Sequence, residues 1–282
     1  MSSCSSPVET AVTPTLARYR PVVTGPLVRL GARRDGGYVV DARSVQTSSI
    51  LVSAGIGYEW SFEEAFLSRD GPPVSLVACD ASVSSGRFRW RALRRLAAAA
   101  LSPTRARERF ASARWNLERA RAFRRFFYGP GRTFHRKFLG PRTSGRCLSI
   151  GDLLDRLPAG PGHHVFVKLD IEGDEYDIVP QIVQRAPMFS GLVIEWHALD
   201  QRWGAFARSM DALHEHFDVV HVHGNNYRPL IPDTGVPAVL EMSFAPKALA
   251  GGPALPSRAT YPIEGLDWPC NPARPDYPLT FG

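Results

Sequence analysis

The sequence predicts an α/β fold with a mostly parallel sheet of seven strands, covered by helices on both faces. Three observations predict it. Short runs rich in Val, Ile and Leu alternate with helix-like segments, the pattern of strands buried on both sides. At 282 residues the chain is long enough to bury such a core without disulfide or metal staples. Several runs end directly in Gly, an acid or His, at the strand ends where open α/β sheets bind ligands.

The elements follow in order. Residues 1–24 are Ser/Thr/Pro-rich and expected to be flexible, fraying to about Arg20; residues 25–282 form the domain. SSILVSAG (Ser48–Gly55) reads as the first strand, and SFEEAFLSR after it as a helix. VSLVACD (Val74–Asp80) is the second strand. A basic helical hairpin is inserted at about 86–131, with Leu93, Leu96, Ala97, Ala100 and Leu101 on one face of its first helix. Ser102–Pro103 then reads as an N-cap followed by proline at the first helical position. The second helix sets Phe110, Ala113, Leu117, Ala120 and Phe127 at three- and four-residue steps and ends at the YGPGR turn. RTFHRKFL is the third strand. SIGDLLDRL is a short helix with Ser149 as N-cap and Asp152 as its capping partner. HVFVKLD, GLVIEWH, FDVVHVHG and AVLEMSFAP are strands four to seven, the last two expected as an antiparallel edge pair.

Composition narrows the class. No CxxC spacing joins Cys4, Cys79, Cys147 and Cys270, which argues against a zinc knuckle. The start lacks a secretory pattern and no run reaches spanning length, so a soluble cytoplasmic protein is expected. The net charge of +7 conceals an asymmetry. Residues Gly86 to Arg146 hold 17 Arg, one Lys and two Glu, a net of +16, which leaves −9 on the remainder.

The strand ends carry the chemistry. SAGIG (Ser53–Gly57) is a GxG turn that lets a ligand approach the backbone. Asp80, at the end of the second strand, stands where an acid accepts ribose hydroxyls. A phosphate cradle is missing, and Glu59, Glu63 and Glu64 on the following helix would repel a pyrophosphate. S-adenosylmethionine, with adenosine and sulfonium but no phosphate, suits these residues better than a dinucleotide. Asp170 and Glu172 end the fourth strand, Glu195 and His197 the fifth, and His221, His223 and Asn225 the sixth. Of the run DIEGDEYD, Asp170 and Glu172 are expected to face the crevice. Asp174, Glu175 and Asp177 are expected to be solvated first-turn acids.

These residues resemble the FkbM-type family of S-adenosylmethionine-dependent methyltransferases. VKLDIEGDEYDIV carries the likeness, together with LVRLGARRDGGYVV, SAGIGYEWSFEEAF, the acid in ACD, CLSIGDLL, VIEWH and HVHGNNY, over about residues 25 to 245 without the basic segment. The resemblance implies a Rossmann-like methyltransferase fold and methylation of a hydroxyl on a sugar or natural-product scaffold. Ser53 stands where much of that family has an acid, so Asp35, Gly36 and Gly37 become candidates for holding the methionine portion. The candidate cofactor contacts are these with Ser53, Gly55, Gly57, Asp80, Ser149 and Asp170. Glu172, His221, His223 and Asn225 are the candidate substrate contacts.

A hydroxyl acceptor needs a base as its proton leaves. His197 is the first candidate because imidazole titrates near neutrality, Glu195 would orient it or bind the substrate, and Asp170 is an alternative base. Asp170, Glu195 and His197 could also hold Mg or Mn. The arginine-rich helices leave three readings open: a solvated face, a site for an acidic substrate or anionic membrane, or a nucleic-acid surface, ranked last. A non-catalytic methyltransferase-like fold that binds a polyanion through those helices is the alternative from another class.

Overall fold

The computed structural model describes residues 14–101, 105–158, 164–249 and 254–281. The chain passes through β1 (Val22–Val23), β2 (Leu27–Leu30), β3 (Tyr38–Asp41), α1 (Ala42–Thr47), β4 (Ile50–Ala54), α2 (Ser61–Leu67) and β5 (Ser75–Cys79). The hairpin α3 (Ser85–Leu101) and α4 (Ala106–Phe127) leads into β6 (Arg132–His135), β7 (Phe138–Gly140), β8 (Cys147–Ser149) and α5 (Ile150–Leu154). Then come β9 (Val165–Leu169), α6 (Glu175–Val183), β10 (Phe189–Trp196), α7 (Leu199–His214), β11 (Phe217–Gly224), β12 (Leu240–Pro246) and β13 (Leu255–Pro256).

The seven-stranded sheet has the order β11-β12-β10-β9-β4-β5-β6. Five strands from β10 to β6 run parallel in register, and β12 is antiparallel to both its neighbours. All seven predicted strands are present, with one correction. β11 and β12 form the expected antiparallel pair at the edge of the sheet; β11 is the edge strand, and β12, buried from Leu240 to Ala245, joins it to β10. RTFHRKFL is split: β6 ends at His135, and Phe138–Gly140 pairs with β8 in a separate two-stranded ribbon.

Two apolar cores sandwich the sheet. On one face Val52, Val167, Leu192 and Ile194 pack with α5, α6 and α7. On the other, Leu51, Phe166 and Val193 pack with α2, β3 and the inner side of the hairpin. Leu16 and Tyr19 are buried rather than frayed, Tyr19 standing edge-on to Phe206 at 5.2 Å. Among the described residues, no helix is long and apolar enough to cross a membrane.

The hairpin differs from its sequence reading. Its buried positions are Phe88, Ala92 and Ala99 on α3, and Ala113, Asn116, Ala120, Phe123, Phe126 and Phe127 on α4. Leu93, Leu96, Phe110 and Leu117, expected on the docking face, are exposed. Aromatic packing decided this: Phe123 and Phe127 stack against Trp60 and Phe134, turning α4 so that its phenylalanines face the body. The predicted cap at Ser102–Pro103 lies outside the described residues.

Candidate active site

The chain reverses its direction of travel across the sheet between β4 and β9, and there the strand ends part. β4 leads outward to β5 and β6, while β9 leads the other way to β10. Such a switch point opens a crevice beyond the carboxyl ends of the strands.

Gly55 leaves β4 with φ +77°, a conformation glycine adopts without steric cost. A Cβ there would stand 1.6 Å from the Asp170 carbonyl oxygen, so the turn is packed directly on the end of β9. Asp80 fastens the turn. Its Oδ2 accepts the N–H groups of Ile56 at 2.9 Å and Gly57 at 2.8 Å, and its Oδ1 accepts that of Ser82. Ribose hydroxyls would therefore meet a carboxylate already committed to the loop, with only its remaining lone pairs to offer.

Lys168, which the sequence reading passed over, lies beneath the turn. Buried in β9, it donates to the Gly55 carbonyl at 2.6 Å and stands 3.8 Å from Glu63 and 3.9 Å from Asp170. Burial lowers its pKa, but Glu63, Asp170 and Glu195 outweigh burial and the net shift is upward. Its signal was legible: a lysine inside an otherwise apolar strand must find acids. Glu63 is one of them, so it is spent on Lys168 and on the Ser53 hydroxyl at 2.5 Å and repels nothing at the helix start.

A cavity of about 360 Å³ lies above this turn, lined by Asp35, Gly36, Gly55, Gly57, Glu59, Asp80, Lys168, Asp170 and Glu172 among others. A second, of about 410 Å³, shares Asp35, Asp170 and Glu172 with it and adds Glu195, His197, Asn225, Tyr227 and Arg228. The two therefore adjoin at three carboxylates.

His197 closes the second cavity. Its Nδ1 donates to Glu175 at 2.8 Å, and its Nε2 faces Asp170, Glu172 and Glu195 at 3.7 to 3.8 Å. Burial pushes the imidazole down, but the Glu175 hydrogen bond and the charges of Glu195, Glu175 and Asp170 raise it to about 9. Glu175 corrects an expectation. It is fully buried, and its Oε1 also accepts the N–H groups of Ile171 and Gly173, so it pins the loop after β9 and orients the imidazole. Its neighbour Asp177 is exposed, as a first-turn acid should be. Pinning the loop also holds Glu172 at φ +59°, turned toward both cavities.

The walls are acidic and short of protons to share. Tyr38, a second residue the sequence reading omitted, donates to Glu195 at 3.1 Å; Asn225 donates to the same carboxyl at 2.8 Å. Burial, then Asp170 and Glu241, hold Glu195 well above the usual carboxylate range. Asp35 sits exposed at the mouth, yet partial desolvation and the Glu241 and Asp170 charges raise it to about 6. A crevice of this kind favours a cationic ligand. Asp170, Glu172 and His197 each offer an atom within 4.8 Å of the others, a set that could hold a divalent cation.

Four predicted residues stand elsewhere. Ser53 is buried on Glu63. Ser149 caps α5 and binds Gln181 at 2.9 Å. His221 pairs with Asp267 at 3.0 Å, and His223 donates to Glu241 and Asp276, both at 2.9 Å. The C-terminal segment supplies Asp267 and Asp276, so it covers these histidines and takes the hydrogen bonds a substrate would need. None of the four lines either cavity. Gly37 does not line them either; it is pressed against the Ala32 carbonyl in the turn between β2 and β3.

His223 is instead a stability element. Burial pushes it down, but the Asp276 and Glu241 hydrogen bonds raise it to about 10. Its contribution is therefore complete below the unfolded value near 6.5 and is lost as pH climbs through about 10. Replacing His223 by Leu should cost ~3–5 kcal/mol, because the buried Glu241 and the partly buried Asp276 lose their cation. Thermal melts at neutral and alkaline pH should show a downward shift for the parent that is smaller in H223L. Equal pH dependence in both proteins would refute this role.

The order of the sheet, with one antiparallel strand inserted beside the last, defines a Rossmann-like fold of the methyltransferase type. No family model matches the chain, and no curated protein matches it. Among solved structures it is similar to the precorrin-6y C5,15-methyltransferase of Geobacter metallireducens, at 13% identity and a TM-score of 0.33 over 72% of this chain and 86% of that one. It is also similar to a proposed rRNA-methylase of Clostridium thermocellum, at 10% identity and a TM-score of 0.34, covering 70% and 86%. A proposed S-adenosylmethionine-dependent methyltransferase of Listeria monocytogenes matches at 11% and 0.35, covering 72% and 93%. Likeness at this level carries no argument about activity, which rests on the chain's own residues.

Proposed function

We propose that the protein is an S-adenosylmethionine-dependent methyltransferase that modifies a hydroxyl on a sugar or natural-product-type acceptor. One observation carries the reading: a carboxylate-walled cavity over the Gly55 turn shares Asp35, Asp170 and Glu172 with an adjoining cavity closed by His197. A sulfonium and an ammonium on one ligand match such walls, whereas a polyphosphate would meet Glu59, Asp80 and Asp170. The motif resemblance to the FkbM-type family supports the same proposal and its choice of acceptor.

When bound, the cofactor supplies an electrophilic methyl carbon: its S–C bond breaks as the O–C bond to the acceptor forms. The chain's own residues do the rest. The Gly55–Gly57 backbone admits the ligand closely, and Asp80 and Lys168 keep that turn in place. Asp35, Asp170 and Glu172 oppose the cationic portion and border the acceptor cavity. His197 Nε2 takes the hydroxyl proton, while Glu175 holds Nδ1 and steadies the imidazolium. Fixing the two reactants in line is the larger part of the catalysis.

Titration calorimetry with S-adenosylmethionine and with its demethylated product should show one site on the protein, weakened by Asp170→Asn. Absence of binding by either compound would favour the other class, a silent fold that binds a polyanion through its arginines. A mass-spectrometric screen of hydroxylated acceptors should then reveal a gain of one CH2. Turnover should survive exhaustive chelation. Activity that returns only with Mg or Mn would reassign Asp170, Glu172 and His197 as a metal centre.

A further inference from the structure

The outer side of the helical hairpin presents an apolar stripe that no other described part of the chain covers. On α3, Leu93 is 64% exposed and Leu96 37%, with exposed Ala97 and Ala100 between and beyond them. On α4, Phe110 is 54% exposed and Leu117 38%. Helical residues advance by about 100° each. The stripe on α3 therefore lies roughly 110° round from the buried line Phe88–Ala92–Ala99, and that on α4 roughly 75°, in the same sense, from Ala113–Asn116–Ala120. α3 packs chiefly on α4, so the two buried lines face each other, and because the helices run antiparallel, offsets of the same sense bring both stripes to one side of the hairpin.

That side is strongly basic. Ser85 to Phe127 contains 13 Arg, two Glu and no Lys or Asp. One of the two acids, Glu118, pairs with Arg114 at 3.6 Å. Arg89, Arg114, Arg121 and Arg124 flank the stripe by the same angular count. Trp90, 56% exposed, sits at its margin with Arg94 stacked over its ring at 4.7 Å.

We propose that this side of the hairpin docks on an anionic lipid bilayer surface, with Leu93, Leu96, Phe110 and Leu117 entering the headgroup boundary and the arginines pairing with lipid phosphates. The charge selects the partner. An isologous contact with a second copy would set arginines against arginines. A nucleic acid would pair with the guanidiniums but leave the leucines in water. A lipid surface takes both, since long arginine stems lie along apolar ground while their heads reach phosphate. Helix α4 also brings Trp115 and Arg119 to a cavity that shares Asp35 and Glu59 with the crevice, so one helix links the basic face to the candidate active site.

Flotation of the full chain with vesicles tests this directly. Phosphatidylcholine vesicles containing phosphatidylglycerol should carry the protein, and pure phosphatidylcholine should not. Leu93→Ser with Leu96→Ser, joined to Phe110→Ser with Leu117→Ser, should weaken vesicle binding at least tenfold while melting temperature and cofactor binding stay unchanged. Arg121→Glu with Arg124→Glu should do the same. Unimpaired vesicle binding by the serine variant would overturn the proposal. So would an absence of anionic preference, a dimer in solution abolished by the serine variant, or tighter capture by RNA than by vesicles.

Discussion

Replacing His197 by Ala is expected to lower kcat by about 10²- to 10⁴-fold while cofactor affinity changes little. The imidazole closes the acceptor cavity and does not line the one over the glycine turn, so the two effects should separate. Glutamine at the same position can still donate to Glu175 but cannot accept a proton, and should be as inactive as alanine. The pH dependence carries a definite sign. Asp170, Glu172, Glu175 and Glu195 face the ring, and the raised value of about 9 keeps it charged at neutrality. Turnover by the parent should therefore climb with pH toward about 9, and a bound cationic cofactor should draw that limb to lower pH. Residual activity in H197Q with the same limb would remove His197 from its assigned role. An equal loss of cofactor binding would do so as well.

The second large effect is expected at Gly55. Alanine there combines a positive φ, worth ~1–2 kcal/mol against a side chain, with a Cβ driven into a backbone carbonyl. That carbonyl belongs to Asp170, so relief of the clash must push β9 away from β4 and move Lys168 off the Gly55 oxygen. We expect a stability loss of ~3 kcal/mol or more, in the range of strongly strained substitutions, together with loss of measurable cofactor binding. Gly57→Ala is the control. It also has a positive φ, but a Cβ there meets nothing within 4 Å of the chain, so its loss of stability should be the conformational cost alone, whatever the methyl does to a ligand in the cavity Gly57 lines. Thermal melts and calorimetry of the two variants separate the cases, and similar behaviour would show that the contact with Asp170 does not govern the loop.

The strands were legible because period and composition are local properties. Val165 to Leu169 reads as buried whichever neighbours it finds, and it is. The ends of β4, β9 and β10 were legible for a related reason: acids and glycines that close an apolar run have little use except at an open sheet edge. Partnership was less visible. Glu175 and Asp177 look alike in the run, yet one is sealed beneath His197 and the other faces water. His197 and His223 each follow an apolar strand at its end. The C-terminal segment, more than 40 residues further on in sequence, supplied Asp276 to one and nothing to the other.

The amino-acid order by itself determined the seven strands of the main sheet, their mostly parallel character, the glycine turn and the excess of positive charge in one insertion. Each follows from side-chain volume, backbone freedom or charge, which a residue carries wherever it goes. Only the tertiary structure decided that β12 lies inside the sheet, that Lys168 and Tyr38 sit under the crevice, and which side of the hairpin faces outward. Those outcomes depend on burial and pairing between distant segments. The cost of an unpaired buried charge has no expression until both partners are in place.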